Sequence, residues 1–349
     1  VLFPWEVSPP PPSLVPLEEI RSGGPPPDGI PPIDAPKLVD IGATREWLQD
    51  REPVLALVHG GEARAYPLQI LTWHEIVNDE VAGDPITVTY CPLCNSGIAF
   101  DRRVSGRVLD FGTSGRLYNS NLVMYDRQTK SLWIQFTGQA VAGPFMRTEL
   151  RNVPVQMVSF ADFRTAHPDG KVLSRQTGFA RSYGTNPYSG YDDVSARPFL
   201  FDGSTDDRLR PMDRVLAVRD GDAATAYPST ALEARARDGA TVVSDSVGSV
   251  DLVVFYRLGT ASALDDFRIA EGRDVGATGV FRPEAAGRRL DFEVRDGEFV
   301  DAQTGSVWNV LGEATAGELR GERLAPVVHD DTFWFVWAVF RPQTAVWSG

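Results

Sequence analysis

Two cysteines stand three positions apart in a chain of 349 residues, in Tyr90-Cys91-Pro92-Leu93-Cys94. A Cys-x-x-Cys turn puts two thiols on one side of a bend, near enough to pair with each other or to share a metal ion. Two thiolates joined by one imidazole suit a soft or borderline cation, copper first and zinc second. His74 is the natural third ligand. It falls on the apolar face of a helix predicted over 68–78, and the strand after that helix runs directly into Cys91. A structural zinc site normally takes four protein ligands, and no second Cys-x-x-Cys pair exists. Copper, which accepts fewer and softer ligands, is therefore the first expectation. Met124 is a possible thioether neighbour, although methionine commonly fills cores.

Two other chemistries remain open for the same pair. A thiol–disulfide switch needs only Cys91 and Cys94, but Asn95-Ser96-Gly97 and a strand-like Ile98-Ala99-Phe100 follow, so no helix N-terminus activates the thiols. A structural cysteine pair in a non-catalytic interaction module is the third reading. No Gly-x-Ser-x-Gly, His-Glu-x-x-His or paired-carboxylate signature is present. His59, at a hairpin turn, and His167, before Pro168, are expected to face solvent.

The elements that must position these residues occur twice. Val54 to Leu57, Gly60 and Ala65-Tyr66-Pro67 return 161 positions later as Val215 to Val218, Gly221 and Ala226-Tyr227-Pro228. Arg107 to Phe111 returns as Arg288 to Phe292, and Asp126 to Trp133 as Asp301 to Trp308. This pattern predicts a β-rich α+β fold of two pseudo-symmetric modules from an internal duplication, each built of β-hairpins and short helices. The modules are expected at 38–175 and 212–349. They are joined by a Gly/Tyr-rich connector, 176–211, punctuated by Tyr183, Tyr188 and Tyr191. What both copies share, including Asp126 and Trp133, belongs to the fold. What only the first copy has is where function is sought: His74, Cys91, Cys94 and the polar loop 112–121, six residues longer than its counterpart. In that loop Ser114, Asn119 and Asn121 are candidates to orient a ligand. Asn78 is a candidate neighbour of His74 or a cap for its helix.

Residues 1–37 hold twelve of the 26 prolines and read as a tether or a strap across the surface. With no initiating Met, this lead suggests an exported, processed protein. Net charge is −13, which argues against nucleic acid as a partner. No apolar run is long enough to span a membrane. A small-molecule substrate fits these bounds.

The strings Tyr66-Pro67-Leu68, Trp73 to Asp79 (WHEIVND), Val88 to Cys94 (with TYCPLC) and Asn119 to Asp126 resemble a family of bacterial and archaeal proteins known only as a domain of unknown function. The likeness runs from about Asp28 to the C-terminus. It implies an exported or lipid-anchored protein and a signature of His74, Asn78, Cys91, Cys94, Ser114, Gly115 and Asn119. It names neither metal nor substrate.

Overall fold

The computed structural model describes residues 2–349. Its first half opens with a hairpin, β1 (Pro53–His59) and β2 (Glu62–Pro67), that leads into α1 (Leu68–His74). Leu68, Ile70 and Leu71 are fully buried, so this helix is held by packing rather than by its length. Three strands follow in a meander: β3 (Ile76–Val81), β4 (Asp84–Cys91) and β5 (Ser96–Asp101). The next sheet contains β6 (Phe111–Tyr118), β7 (Asn121–Asp126) and β8 (Leu132–Ile134). Ser159 caps α2 (Phe160–Ala166) by accepting from the Asp162 N–H.

The second half begins with a matching hairpin, β9 (Arg214–Asp220) and β10 (Ala223–Pro228), followed by α3 (Ser229–Ala234). It ends with β11 (His329–Phe333) running into α4 (Trp334–Phe340). β11 pairs with β9 as Gln156–Ser159 pairs with β1. The fold is thus β-rich, with several small sheets and short helices. Its largest apolar cluster draws on both halves, packing Leu71, Tyr90 and Trp133 with Val215, Trp334 and Trp337. Among the described residues, no helix is long and apolar enough to cross a membrane.

Three local expectations are corrected. The helix predicted through Asn78 stops at His74, because Glu75 takes a positive φ of 59° and Ile76 already pairs with Thr89. Val77 and Asn78 are therefore strand residues, and Asn78 caps nothing. The presumed loop 112–121 is mostly strand: β6 and β7 pair through it, with a bulge between Thr113 and Arg116. His167 is buried against Phe163, 3.5 Å from Glu313, rather than facing solvent. His59 is half-exposed and paired with Asp84.

Asp126 and Trp133 do what the shared pattern suggested. The Asp126 carboxylate accepts from the Thr129 N–H (2.6 Å), the Thr129 hydroxyl (2.9 Å) and the Trp133 indole (3.0 Å). Asp301 makes the same set with Thr304 and Trp308. The Asp126 set is buried and the Asp301 set buried at Trp308 and half-buried at Thr304, so removing either acceptor strands several donors. We expect Asp126→Ala and Asp301→Ala each to cost about 2–4 kcal/mol in urea denaturation. A loss below about 1 kcal/mol at either position would contradict this account.

Candidate functional site

The reversal at Glu75 builds the site. Its N–H donates to the Leu71 carbonyl (2.7 Å), ending α1, and its carbonyl accepts from the Tyr90 N–H (2.8 Å). These two bonds hold the helix end beside the last residues of β4, where Cys91 lies. Pro92–Cys94 then forms one 3-10 turn, and Asn95 enters the left-handed region (φ 50°) to start β5. The Cys-x-x-Cys segment is thus the tip of a hairpin, and Cys91 pairs with Ser96 across it.

Both cysteines are free, and their sulfurs lie 3.0 Å apart. Cys94 is fully buried and Cys91 is 2% exposed. The Ser120 carbonyl faces both thiols, at 3.9 Å from Cys91 Sγ and 3.6 Å from Cys94 Sγ. Asn121 Nδ2 donates to Cys94 Sγ (3.3 Å) and to Gln135 Oε1 (3.0 Å), while its Oδ1 accepts from the Phe136 N–H. Gln135 Nε2 in turn donates to the Thr89 hydroxyl and the Ser96 carbonyl. This buried network leaves Asn121 one orientation. Thr332, from the second half, donates to the Cys94 carbonyl (2.9 Å). Burial pushes the Cys94 thiol well above its ordinary pKa; the Asn121 N–H works against that shift.

Asn119 and Ser120 both have positive φ, 48° and 66°, and form the two-residue turn between β6 and β7. Asn119 therefore acts through the backbone, as part of the turn that aims the Ser120 carbonyl at the thiols. Ser114 sits in the β6 bulge, where its hydroxyl donates to the Val123 carbonyl and accepts from the Arg116 N–H. Met124 is a fully buried core residue between Thr113 and Trp133.

His74 and Asn78 are engaged elsewhere. The imidazole contacts the Pro31 carbonyl through Nδ1 (2.6 Å) and the Tyr183 hydroxyl through Nε2 (2.6 Å). Donation from Nδ1 and acceptance at Nε2 require the neutral ring, and burial lowers its pKa in the same sense. Asn78 Nδ2 donates to Asp34 Oδ1 and the Phe111 carbonyl, and its Oδ1 accepts from the Phe111 N–H. Both residues fasten the Pro-rich N-terminal segment. That segment also bonds by backbone, Gly23 N–H to Gly115, Asp28 N–H to Thr113 and Ile33 N–H to Ile76. Gly115, at φ 71°, allows the contact: a Cβ there would lie 1.9 Å from the Pro25 carbonyl. Among the described residues, no group of three or more His, Cys, Asp or Glu side chains is arranged to hold a metal ion.

Against the cysteine turn lies a cavity of about 320 Å³, lined mostly by apolar side chains. Leu93, between the two cysteines, forms part of its wall. Pro25 and Ile30 of the strap, Leu117 and Leu122 of β6 and β7, and Tyr188, Tyr191 and Phe199 of the connector complete most of it. The Tyr191 hydroxyl donates to the Leu93 carbonyl (3.1 Å), pinning the connector to the cysteine turn. Glu75 also lines this cavity. The pocket and its acid were missed in the sequence, where Glu75 looked like one more residue of the His74 helix. The available signal was an acid inside the otherwise apolar string Trp73 to Val77.

The family model described as a protein of unknown function, DUF3179, matches residues 27–344. The chain belongs to that family. The matched DUF3179 span includes the strap anchors Asp28 to Asp34, the cysteine hairpin, the connector and β11. Comparison with curated proteins and with solved structures finds no match.

Glu75 is 8% exposed, and burial raises its carboxyl from 4.5 to about 8. The folded protein therefore binds more protons than the unfolded chain between those values, and stability falls as pH rises across that window. Glu75→Gln should flatten this slope in denaturation curves collected from about pH 5 to 8. An unchanged slope would show that Glu75 is ionised in the fold.

Proposed function

We propose that this DUF3179 protein is a thiol–disulfide redox protein whose working group is the Cys91/Cys94 dithiol. The observation that carries the reading is the 3.0 Å separation of two free sulfurs on one hairpin turn. A disulfide bond is about 2.05 Å long, so closure asks for about 1 Å of sulfur movement. With a small disulfide such as oxidised glutathione as the oxidant, one cysteine displaces a glutathione thiol and forms a mixed disulfide. The second cysteine then attacks the protein sulfur and releases the other glutathione. Two S–H bonds are lost from the protein and one S–S bond forms, while the small disulfide is reduced to two thiols. Access to the sulfurs requires the Tyr191–Leu93 bond to open. In this reading the protein works outside the cytoplasm, where such a pair can persist oxidised; the Pro-rich lead supports that location. The recurrent hairpin–helix units and Asp–Thr–Trp turns support reading the second half as a duplicate without thiols.

Copper held by the same two sulfurs is the second reading, with zinc behind it. It is favoured by the facing of two soft donors in one buried spot. For His74 to join as third ligand, the imidazole must release Tyr183 or Pro31 and turn toward the thiols.

Reduced protein equilibrated across a series of glutathione redox buffers, with thiols counted after a denaturing quench, separates these readings. We expect a reversible two-thiol transition that is retained in His74→Ala and lost in Cys91→Ser. Absence of an intramolecular disulfide under oxidising buffers would overturn the redox reading. Near-stoichiometric copper by elemental mass spectrometry, lost in a folded His74→Ala variant, would replace it with the metal reading. A disulfide that glutathione cannot reduce would leave a structural pair.

A further inference from the structure

We infer that the cavity over the cysteine turn is a binding site for a small, uncharged, mostly apolar molecule of one or two rings that carries one hydrogen-bond-accepting oxygen directed at Glu75. This site does not depend on the thiol chemistry proposed above. A volume near 320 Å³ and a wall of aliphatic and aromatic side chains suit such a ligand. The wall comes from separate stretches of chain: strap, helix end, cysteine turn, the β6–β7 pair and connector. Each is held there by its own hydrogen bonds, to Gly115, Thr113, Leu93 or Tyr90.

Glu75 is the observation that points to a ligand. It is more than nine-tenths buried and lines the cavity. Among the described residues, no donor offsets the burial of its carboxyl, and desolvation is the one cause of its shift. Its backbone is held at φ 59°, φ +59° being a conformation that β-carbon-bearing residues seldom adopt. A buried carboxyl left without a partner costs free energy. A bound acceptor oxygen would satisfy its O–H.

The groups around Glu75 leave it free to play this part. Tyr188 faces it from the connector and Tyr191 lines the same cavity, and burial holds both phenols protonated. Arg116 lines the cavity from β6, but its guanidinium stacks on Trp5 (4.3 Å) and donates to the Ile20 carbonyl. The Cys94 thiol is an electrostatic neighbour of Glu75, and burial holds that thiol protonated and uncharged. His74, the chain neighbour of Glu75, is turned to Pro31 and Tyr183. A carboxyl buried in this apolar wall, with its cationic neighbour in the lining, Arg116, turned to Trp5 and Ile20, is neutral and donates rather than pairs with a cation.

The test uses the full chain and three naphthalene probes: 2-acetylnaphthalene, its isostere 2-isopropenylnaphthalene in which a methylene replaces the oxygen, and 1-(2-naphthyl)ethylamine. Binding is followed by probe fluorescence from about pH 6 to 9. We expect saturable binding of the ketone, about tenfold tighter than the isostere, and weakening as pH rises through about 8. Glu75→Gln, which keeps a donor, should preserve the ketone preference with a flat pH profile, whereas Glu75→Leu should abolish the preference. Leu117→Trp, filling the cavity, should remove binding of both neutral probes while near-ultraviolet circular dichroism shows a folded chain. Equal affinity for ketone and isostere would overturn the inference. So would absence of saturable binding, or an amine that binds more tightly than the ketone and gains affinity as pH rises.

Discussion

Everything at the site hangs on the chain reversal at Glu75. One residue after His74 the helix must stop, turn and become a strand whose partner carries the cysteines. Two backbone bonds, Glu75 N–H to Leu71 and Tyr90 N–H to Glu75, impose this. They are made at the cost of a left-handed backbone on a non-glycine residue and a carboxyl buried away from water. A helix one turn longer would carry Ile76 and Val77 away from Thr89 and Val88, and β4 would no longer deliver Cys91 to the hairpin tip. The unfavourable conformation is over-determined by its surroundings, as strained positions near functional sites generally are.

Around that reversal the buried polar groups divide into two sets. Asn121, Gln135, Thr89 and the Ser120 carbonyl form a closed arrangement on the sulfur side. His74, Asn78, Tyr183 and Asp34 form another on the strap side. The side-chain amides and the imidazole in these sets are hydrogen-bonded, so each set fixes geometry rather than merely filling space. The first keeps two thiols facing each other. The second holds proline-rich chain and tyrosine-rich connector against a body that would otherwise leave the cavity open.

Much of the fold could be read from residue order. The β1–β2 hairpin, its counterpart β9–β10 and the Asp126 and Asp301 turns follow from alternation, turn residues and the repeated strings, because their stabilising contacts are local. The facing of Cys91 and Cys94 was legible for the same reason: three residues of spacing on one bend leave few options. His74 was not. Its spacing placed it on a buried face, which is correct, but spacing does not say which buried acceptor waits there, and Pro31 is 43 positions away. Asn78 was misassigned because helical periodicity in Leu71, His74 and Asn78 overlaps strand alternation in a short apolar stretch. The pocket was invisible because its wall is assembled from segments far apart in sequence, and Glu75 has no motif of its own.

The strap is gripped by its backbone as well as by Asp28, which accepts from Tyr125 and Arg127, and Asp34, which accepts from Asn78 and Arg127. Pro31 and Ile30 offer carbonyls to His74 and Thr113, while Gly23, Asp28 and Ile33 offer N–H groups to Gly115, Thr113 and Ile76. Peptide groups are common to every residue type apart from proline's missing N–H. The instructions for docking this segment are therefore written mainly in the body that receives it. Apart from Asp28, Asp34, Ile20 and Ile33, its own side chains are left comparatively free to drift over evolutionary time, and a substitution in the receiving groove should disturb the strap more than one at those remaining positions.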